Sequence, residues 1–308
     1  MSKIFTFIVG VILAMPALSK EIITVYSPYS AGHAGTAASH RVFEVANNNQ
    51  SRYQFMLELK PGAQGIIALR TMAEIPSTRL AIINASFVES VDNGKIHEQD
   101  YVPVHVDGNA CWAVATTYGD EKLGLASIKG LNEIMVGTVG VGNATHLTAL
   151  QIGEKYNIPV KYVGFKSNYD ALINMVGNNG VNFILERVSI INQFRDKNPK
   201  MQILAMSCPK RHPEAPSVKT LIEQGVTAPY VFNTVVAGRA MPEDKRQELG
   251  KILDQATLQV GAEEIRRLSD MRPSIFDNVS VDDFHRQNVS TVRALRQKHK
   301  SAIIETRD

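Results

Sequence analysis

The sequence predicts an α/β fold in two lobes, each built on a mostly parallel sheet that helices flank. Short apolar strands alternate with helical patterns along most of the 308 residues, and such alternation is typical of parallel sheets. A strand that leads through a glycine-rich turn into a helix occurs twice, near residues 22–46 and again near 134–156. Because about 290 residues exceed the usual size of one domain, we expect one such unit in each of two lobes.

The first nineteen residues are typical of an export signal. Lys3 precedes an apolar stretch from residue 4 to residue 14, and Ala17-Leu18-Ser19 offers the small residues that signal peptidases recognise. The stretch is short for a membrane span, so we expect cleavage near Ser19 and a periplasmic protein, with an uncleaved anchor as the alternative. The formal net charge of +3 gives no field suited to nucleic acid.

In the first lobe, strands and helices alternate from residue 22 to residue 83. Apolar runs predict the strands, and apolar residues three to four positions apart predict the helices. The expected elements are strands at 22–26, 55–59 and 80–83 and helices at 36–47 and 66–73. The turns 27–36, 60–65 and 84–87 follow the strand ends and should line one rim of the sheet.

The second lobe repeats this order further along the chain. Strands are expected at 134–136, 160–163, 183–185 and 203–207, with helices after 145, at 169–176 and at 189–197. A strand at 231–237 and two final helices, after Pro242 and after Ser280, then return to the first lobe.

Two crossings between lobes make a hinge. The strand-like run 110–117 is expected to leave the first lobe, with the crossing at 118–122. The predicted division is therefore 20–117 with 236–308 for lobe 1, and 118–235 for lobe 2.

Cys111 and Cys208 are the only cysteines, too few for a disulfide framework. An oxidising compartment would permit them to pair, but each lies in a strand-like run. Two buried thiols are the preferred interpretation. Their spacing does not indicate a metal site.

The two glycine-rich turns predict a pair of anion-binding positions. Each turn can aim main-chain N–H groups from the start of a helix, where the helix dipole favours negative charge. One such position in each lobe predicts a carboxylate or phosphate ligand held between the lobes.

Four stretches stand in order along the chain: Ser27–Gly32, Lys60–Gly65, Gly137–Leu147 and Lys210–Gly225. Together they resemble the periplasmic receptors of tripartite tricarboxylate transporters, also called Bug-type solute-binding proteins. The resemblance is colinear over nearly the whole mature chain. Its most specific part is the last stretch, with an Arg, two Pro, a Thr and a Glu-x-Gly in the family's order.

The resemblance implies a type II-like periplasmic binding protein fold whose lobes are hinged on two crossing strands. It implies a receptor that traps a small carboxylate and delivers it to the permease subunits in the membrane. We expect a monomer without a cofactor, a metal or a catalytic residue.

The resemblance also implies which residues contact the ligand. In the first lobe they are Ser30, Ala31 and His33 on the first turn and Gly62, Ala63 and Gln64 on the second, with Ser86 added from the turn 84–87. In the second lobe they are Gly142, Asn143, Ala144 and Thr145 on the glycine-rich turn, Phe165, Lys166 and Ser167 on the next turn, and Glu186 at the floor of the cleft.

Departures from the family pattern concern the ligand more than the fold. Thr36 stands where the family has an Asp, and His33 can add a positive charge below neutral pH. Plainer interpretations remain open: His33 and Lys166 as solvated side chains, and Glu186 as a helix cap or a partner of Arg187.

An enzyme is not expected, because the signatures of common active sites are missing from the sequence. There is no Gly-x-Ser-x-Gly elbow, no phosphate-binding loop and no His-Glu-x-x-His pair. The alternative to a transport receptor is an exported sensor or interaction module, and an exported hydrolase is the weaker one.

Overall fold

The computed structural model describes residues 19–29 and 33–305 of the chain. Within these ranges the chain forms two mixed sheets, each flanked by helices. No helix in them has both the length and the apolar character that crossing a bilayer would require. The expected signal peptide lies outside the described residues, apart from its last position.

Strands and helices follow the predicted alternation. The strands, in chain order, are β1 (Glu21–Ser27), β2 (Tyr53–Leu59), β3 (Arg79–Ile83), β4 (Tyr101–Ala110), β5 (Ala113–Thr116), β6 (Ile134–Thr138), β7 (Val160–Gly164), β8 (Phe183–Glu186), β9 (Gln202–Met206), β10 (Val231–Gly238) and β11 (Met271–Arg272). The helices are α1 (Ala34–Asn49), α2 (Ile66–Glu74), α3 (Ser86–Asp92), α4 (Ala144–Tyr156), α5 (Asn168–Val176), α6 (Val188–Arg195), α7 (Glu243–Val260), α8 (Ala262–Ser269), α9 (Val281–Lys298) and α10 (Lys300–Glu305).

The first sheet takes its strands from both ends of the chain, in the order β11-β4-β10-β3-β1-β2. β1 runs parallel to β2 and β3, whereas β10 runs antiparallel to β3 and β4. Successive side chains of a strand point to opposite faces. Ile23 and Val25 therefore pack beneath α1 and α7, while Tyr26 packs beneath α2 on the other face.

The second sheet has the order β7-β6-β8-β5-β9, and helices also cover both of its faces. β6 runs parallel to β7 and β8, and β5 runs antiparallel to β8 and β9. Both sheets are thus mixed, with four strands of each running in one direction. In the first sheet β10 and β11 run against them, and in the second sheet β5 does.

The chain passes between the sheets at two adjacent crossings. Residues 111–112 join β4 to β5, and residues 207–230 join β9 to β10. The Trp112 N–H donates to Ser207 Oγ at 2.9 Å, and the Ser207 N–H donates to the Trp112 carbonyl at 2.8 Å. The division expected from the sequence, after residue 117 and before residue 236, stays a prediction. By strand pairing, the chain leaves the first sheet at 111–112 and rejoins it at Val231, in both cases a few residues before the predicted bounds.

Cys111 and Cys208 form a disulfide between the two crossings. The prediction of two buried thiols is therefore wrong. The cysteines are 97 residues apart, and only the pairing of β5 with β9 brings their crossings together.

Helix α9 links both sheets through one apolar cluster. Its Val292 and Leu295 belong to the same buried cluster as Val106 and Phe232 of the first sheet. Leu147 of α4, which covers the second sheet, belongs to it too. The lobes are therefore joined by packing as well as by the crossings.

Candidate functional site

Three polar side chains meet at one rim of the first sheet. The carboxyl ends of β1, β3 and β4 and the start of β10 share this rim because β10 runs antiparallel to its neighbours. Tyr29 Oη donates to Asn233 Oδ1 at 2.5 Å and accepts from Asn84 Nδ2 at 3.1 Å. Burial raises the pKa of the Tyr29 hydroxyl well above its usual range, so the hydroxyl remains protonated. This network forms a floor beneath the first turn.

His33 caps helix α1 and stacks on Tyr29, with 3.8 Å between the ring centroids. Its Nδ1 accepts from the Gly35 N–H at 3.1 Å. Burial, and secondarily the charge of Arg187, lower the pKa of His33 to about 4. The ring is then neutral at physiological pH, and its proton is on Nε2 because Nδ1 is an acceptor. His33 therefore gains a positive charge only well below neutral pH.

The second turn packs against the first. The Lys60 N–H donates to the Ser27 carbonyl at 2.8 Å, and a Cβ on Gly65 would lie 3.3 Å from Pro28 Cβ. Within this exposed turn Gly62 has φ 117° and Ala63 has φ 44°, both in the region that favours glycine. The predicted Gly62 and Ala63 thus lie beside the first turn.

The other residues predicted for the first lobe differ in how far the structure describes them. The Ser86 N–H donates to Asn84 Oδ1 at 2.9 Å, which holds Ser86 next to the Tyr29 network. The main chain of Gln64 lies in the short helical turn that follows Gly62. Ser30 and Ala31 lie outside the described residues.

In the second lobe, the glycine-rich turn uses part of its own hydrogen-bonding capacity. Asn143 caps α4 by accepting from the His146 N–H at 3.0 Å, and its amide donates to Thr138 Oγ1 at 2.7 Å. The Gly142 N–H donates to His146 Nδ1 at 2.9 Å, and the Gly142 carbonyl accepts from Arg296 Nη1 of α9 at 3.0 Å.

Of the four residues predicted on this turn, three keep free main-chain donors. The N–H groups of Asn143, Ala144 and Thr145 donate to no described residue. The Gly142 N–H is already engaged, and His146 is neutral because burial, with the charges of His299 and Arg296, lowers its pKa to about 4.

Phe165, Lys166 and Ser167 form the turn between β7 and α5. The Phe165 N–H donates to the Thr138 carbonyl at 3.0 Å, and its ring packs against the core of the second sheet. Lys166 is exposed. Ser167 caps α5 by accepting from the Asp170 N–H at 3.1 Å, so its hydroxyl has a structural role.

Glu186 ends β8 and is buried. One of its oxygens accepts from the Arg187 N–H at 2.7 Å. Burial raises the pKa of its carboxyl, and the Arg187 N–H and the charge of Arg187 oppose that shift. Arg187 is the N-cap residue of α6, and no side chain makes a cap hydrogen bond there, so the plainer interpretation of Glu186 as a helix cap is wrong.

Arg187 is the residue that sequence reasoning treated only as a partner for Glu186. Its Nε lies 3.8 Å from Glu186 Oε1, which is beyond hydrogen-bond range. Its charge lowers the pKa values of His33 and Asp270, both of which belong to the first lobe. Glu186, the residue before Arg187, pairs with Ala113 directly after the first crossing, so Arg187 lies at the end of the second sheet that adjoins the first. The only signal in the sequence is its position directly after a strand end.

The two rims meet at the first crossing, and the space between them, called the gap below, has polar groups from both sheets. His33 stands on one side, and Arg187 and Glu186 stand on the other. Within the described residues, no group of three His, Cys, Asp or Glu side chains is arranged to hold a metal ion. Chemically, the arrangement suits an anion: it offers a cation, a neutral imidazole N–H and the free amides of α4.

Neither a family model nor a curated protein matches the chain. Solved structures do match it. An R. palustris protein solved with adipate superposes with a TM-score of 0.72 at 17% identity, over 92% of this chain and 97% of that one. A TctC solute-binding protein from Polaromonas gives 0.68 at 17% identity, over 90% and 98% of the two chains. The periplasmic binding protein BugD gives 0.65 at 16% identity, over 92% and 97%.

At such identities the likeness concerns the fold. The fold class predicted from the sequence is confirmed, and the likeness agrees with the resemblance carried by the four stretches. The chain therefore has the fold of periplasmic solute-binding proteins such as TctC and BugD.

Proposed function

We propose that this chain is an exported solute-binding receptor of the tripartite tricarboxylate type. It captures a small carboxylate between two lobes and delivers it to the permease subunits of a membrane transporter. The observation that carries the proposal is that the polar rims of the two sheets meet at the first crossing: Ala110 ends β4 on one rim, and Ala113 begins β5 opposite Glu186 on the other.

The fold likeness supports this reading in two ways. The similar structures are binding proteins, which favours a receptor over an enzyme. One of them was solved with adipate, a linear dicarboxylate, and we extend this ligand class to the present chain.

In this proposal the two sheets define the two lobes, with the crossings at 111–112 and 207–230 as the hinge. The protein is exported, loses its signal peptide near Ser19, and acts as a monomer in the periplasm. Ligand capture closes the lobes around the gap.

The test is a thermal-shift screen of the mature protein against succinate, glutarate, adipate, amino acids, phosphate, sugars and divalent metals. A carboxylate at about 100 times its Kd should add about 2.7 kcal/mol to the free energy of unfolding. For a protein of this size such a gain raises Tm by roughly 5 °C or more. Shifts confined to sugars or metals, or no shift at all, would contradict the proposal.

Closure and delivery need separate measurements. Small-angle scattering with and without a binding carboxylate should give a smaller radius of gyration for the bound form. Uptake of that carboxylate by cells should fail when the chain is deleted and return when it is supplied. Binding without any uptake phenotype would favour the sensor alternative.

A further inference from the structure

We infer that the Arg187 guanidinium holds a carboxylate of the ligand, with the His33 Nε2–H as a second donor from the facing lobe. The inference rests on the proposed function and deepens it, because it assigns the recognition of charge to a side chain. The resemblance alone implies recognition by main-chain amides.

The first argument is that Arg187 is mostly buried, yet no described residue accepts a hydrogen bond from its guanidinium. Its side chain is 24% exposed, and its guanidinium donates no hydrogen bond to any described residue. Leaving a buried charged donor unpaired is costly, so such groups normally have partners. The exposed part of its side chain borders solvent.

Other arginines of similar burial show what Arg187 lacks. Arg79, 20% exposed, donates to the Thr71 carbonyl and to Glu74. Arg266, 23% exposed, donates to Glu214 and Glu263. Each of these guanidinium groups is satisfied within the protein, and Arg187 is left with a glutamate oxygen 3.8 Å away.

The second argument is that the protein itself uses part of the main-chain donors at both turns. In the first turn of α1, the Gly35 N–H donates to His33 Nδ1 and the Thr36 N–H donates to the His33 carbonyl. At α4, Asn143 and His146 take up two of the N–H groups of the turn. The remaining amides of Asn143, Ala144 and Thr145 can assist, and Arg187 adds a charged partner.

The third argument concerns the facing side of the gap. The His33 ring is held in place by its hydrogen bond from the Gly35 N–H and by its stacking on Tyr29. Because Nδ1 accepts that hydrogen bond, the proton of the neutral ring is on Nε2. A neutral ring can approach a guanidinium without charge repulsion. A carboxylate between them can accept from both groups, and this contact would favour the closed form.

The experiment compares Arg187→Gln and Arg187→Lys with Arg195→Gln as the matched control. Arg195 lies at the other end of the same helix, where it pairs with Glu121 at 2.8 Å. Binding of adipate, glutarate and succinate is measured by calorimetry. We expect Arg187→Gln to weaken the best of these by about 10- to 100-fold, as for loss of a charge-assisted hydrogen bond. The affinity of Arg187→Lys should lie between those of the wild type and Arg187→Gln, because lysine keeps the charge but lacks the planar fork of a guanidinium.

A further variant tests the facing donor. His33→Asn keeps a good helix cap and removes the Nε2–H, so it should weaken binding while α1 stays folded. Proton NMR supplies a readout without ligand: the pKa of His33, about 4 in the wild type, should rise in Arg187→Gln because a nearby positive charge is gone.

The outcomes separate the inference from the proposed function. If the wild type binds a carboxylate and Arg187→Gln binds it equally well, the inference is overturned and the receptor role stands. If the wild type binds none of the carboxylates in the wider screen, both are overturned. Should Arg187→Gln fail to fold, unchanged affinity in Arg187→Lys together with unchanged affinity in His33→Asn would also overturn the inference.

Discussion

The Cys111–Cys208 disulfide closes a covalent loop around the whole second sheet. Strands β5 to β9 span residues 113–206, which all lie between the two cysteines. The perturbation is the double substitution of both cysteines by alanine. We expect it to destabilise the second lobe more than the first, because only the second lobe gains chain freedom in the unfolded state.

The expected magnitude follows from the length of the loop. For residues 97 apart, the chain-entropy model gives about 4.7 kcal/mol at 25 °C. The two hydrogen bonds between Trp112 and Ser207 remain in the variant and keep the crossings adjacent. With a denaturant slope of roughly 3 kcal/mol per molar urea, the unfolding midpoint should fall by about 1.5 M.

The assay is urea unfolding of the oxidised wild type, the wild type with reductant, and the double variant. Trp112 is the only tryptophan in the sequence and lies on the first crossing, so its fluorescence reports on the hinge. Circular dichroism reports on both lobes at once. The reduced wild type should match the variant, since both lack the covalent link.

Two results would refute this reasoning. A loss below about 1 kcal/mol would mean that the crossings are held by packing alone and that loop closure contributes little. A destabilisation that proteolysis maps to the first lobe would contradict the placement of the second sheet inside the loop.

The other predictions concern the turn before α4. Gly142→Ala should cost about 2–4 kcal/mol, because φ is 73° and the new Cβ would overlap the Arg296 guanidinium, whereas Gly180→Ala, at φ 95° in open space, should cost about 1 kcal/mol. Equal losses by urea unfolding would contradict the contact with Arg296. Lowering the pH from 7 to 5 should destabilise the wild type by roughly 2 kcal/mol through His146. Its pKa of about 4 in the folded state lies below the unfolded value, so the unfolded state binds the extra proton as pH falls. His146→Gln should lose correspondingly less over the same interval, and an identical loss would exclude His146 as the source.

Local patterns were sufficient for the sequential α/β units. The strand predicted at 22–26 is β1 at Glu21–Ser27, and the helix predicted at 169–176 is α5 at Asn168–Val176. These elements have clear apolar periodicity and clear turn residues at their ends, so neighbouring residues carry the signal.

Strand β4 was missed, and a single strand was predicted across the first crossing instead. Its sequence contains Pro103, Asp107 and Gly108, which are poor strand formers. Ten residues nevertheless stay extended because β10 and β11 pair with both edges of the strand. That pairing joins residues more than a hundred positions apart, which a local window does not contain.

For the candidate site, too, some features follow from local sequence and others only from tertiary contacts. The sequence by itself determined where the turns fall, because strand ends and glycines mark them. Only the tertiary structure decided which donors on those turns stay free: His33 and His146 fold back onto their own helices, and Arg296 reaches Gly142 from α9.

The sequence alone therefore determined the α/β class, the order of the sequential strand–helix units and the two rims. The disulfide and the exposure of Arg187 to the facing lobe were decided by the tertiary structure. The physical reason is that both depend on contacts between segments far apart in the chain, whose geometry is set by sheet pairing and by the packing of the lobes.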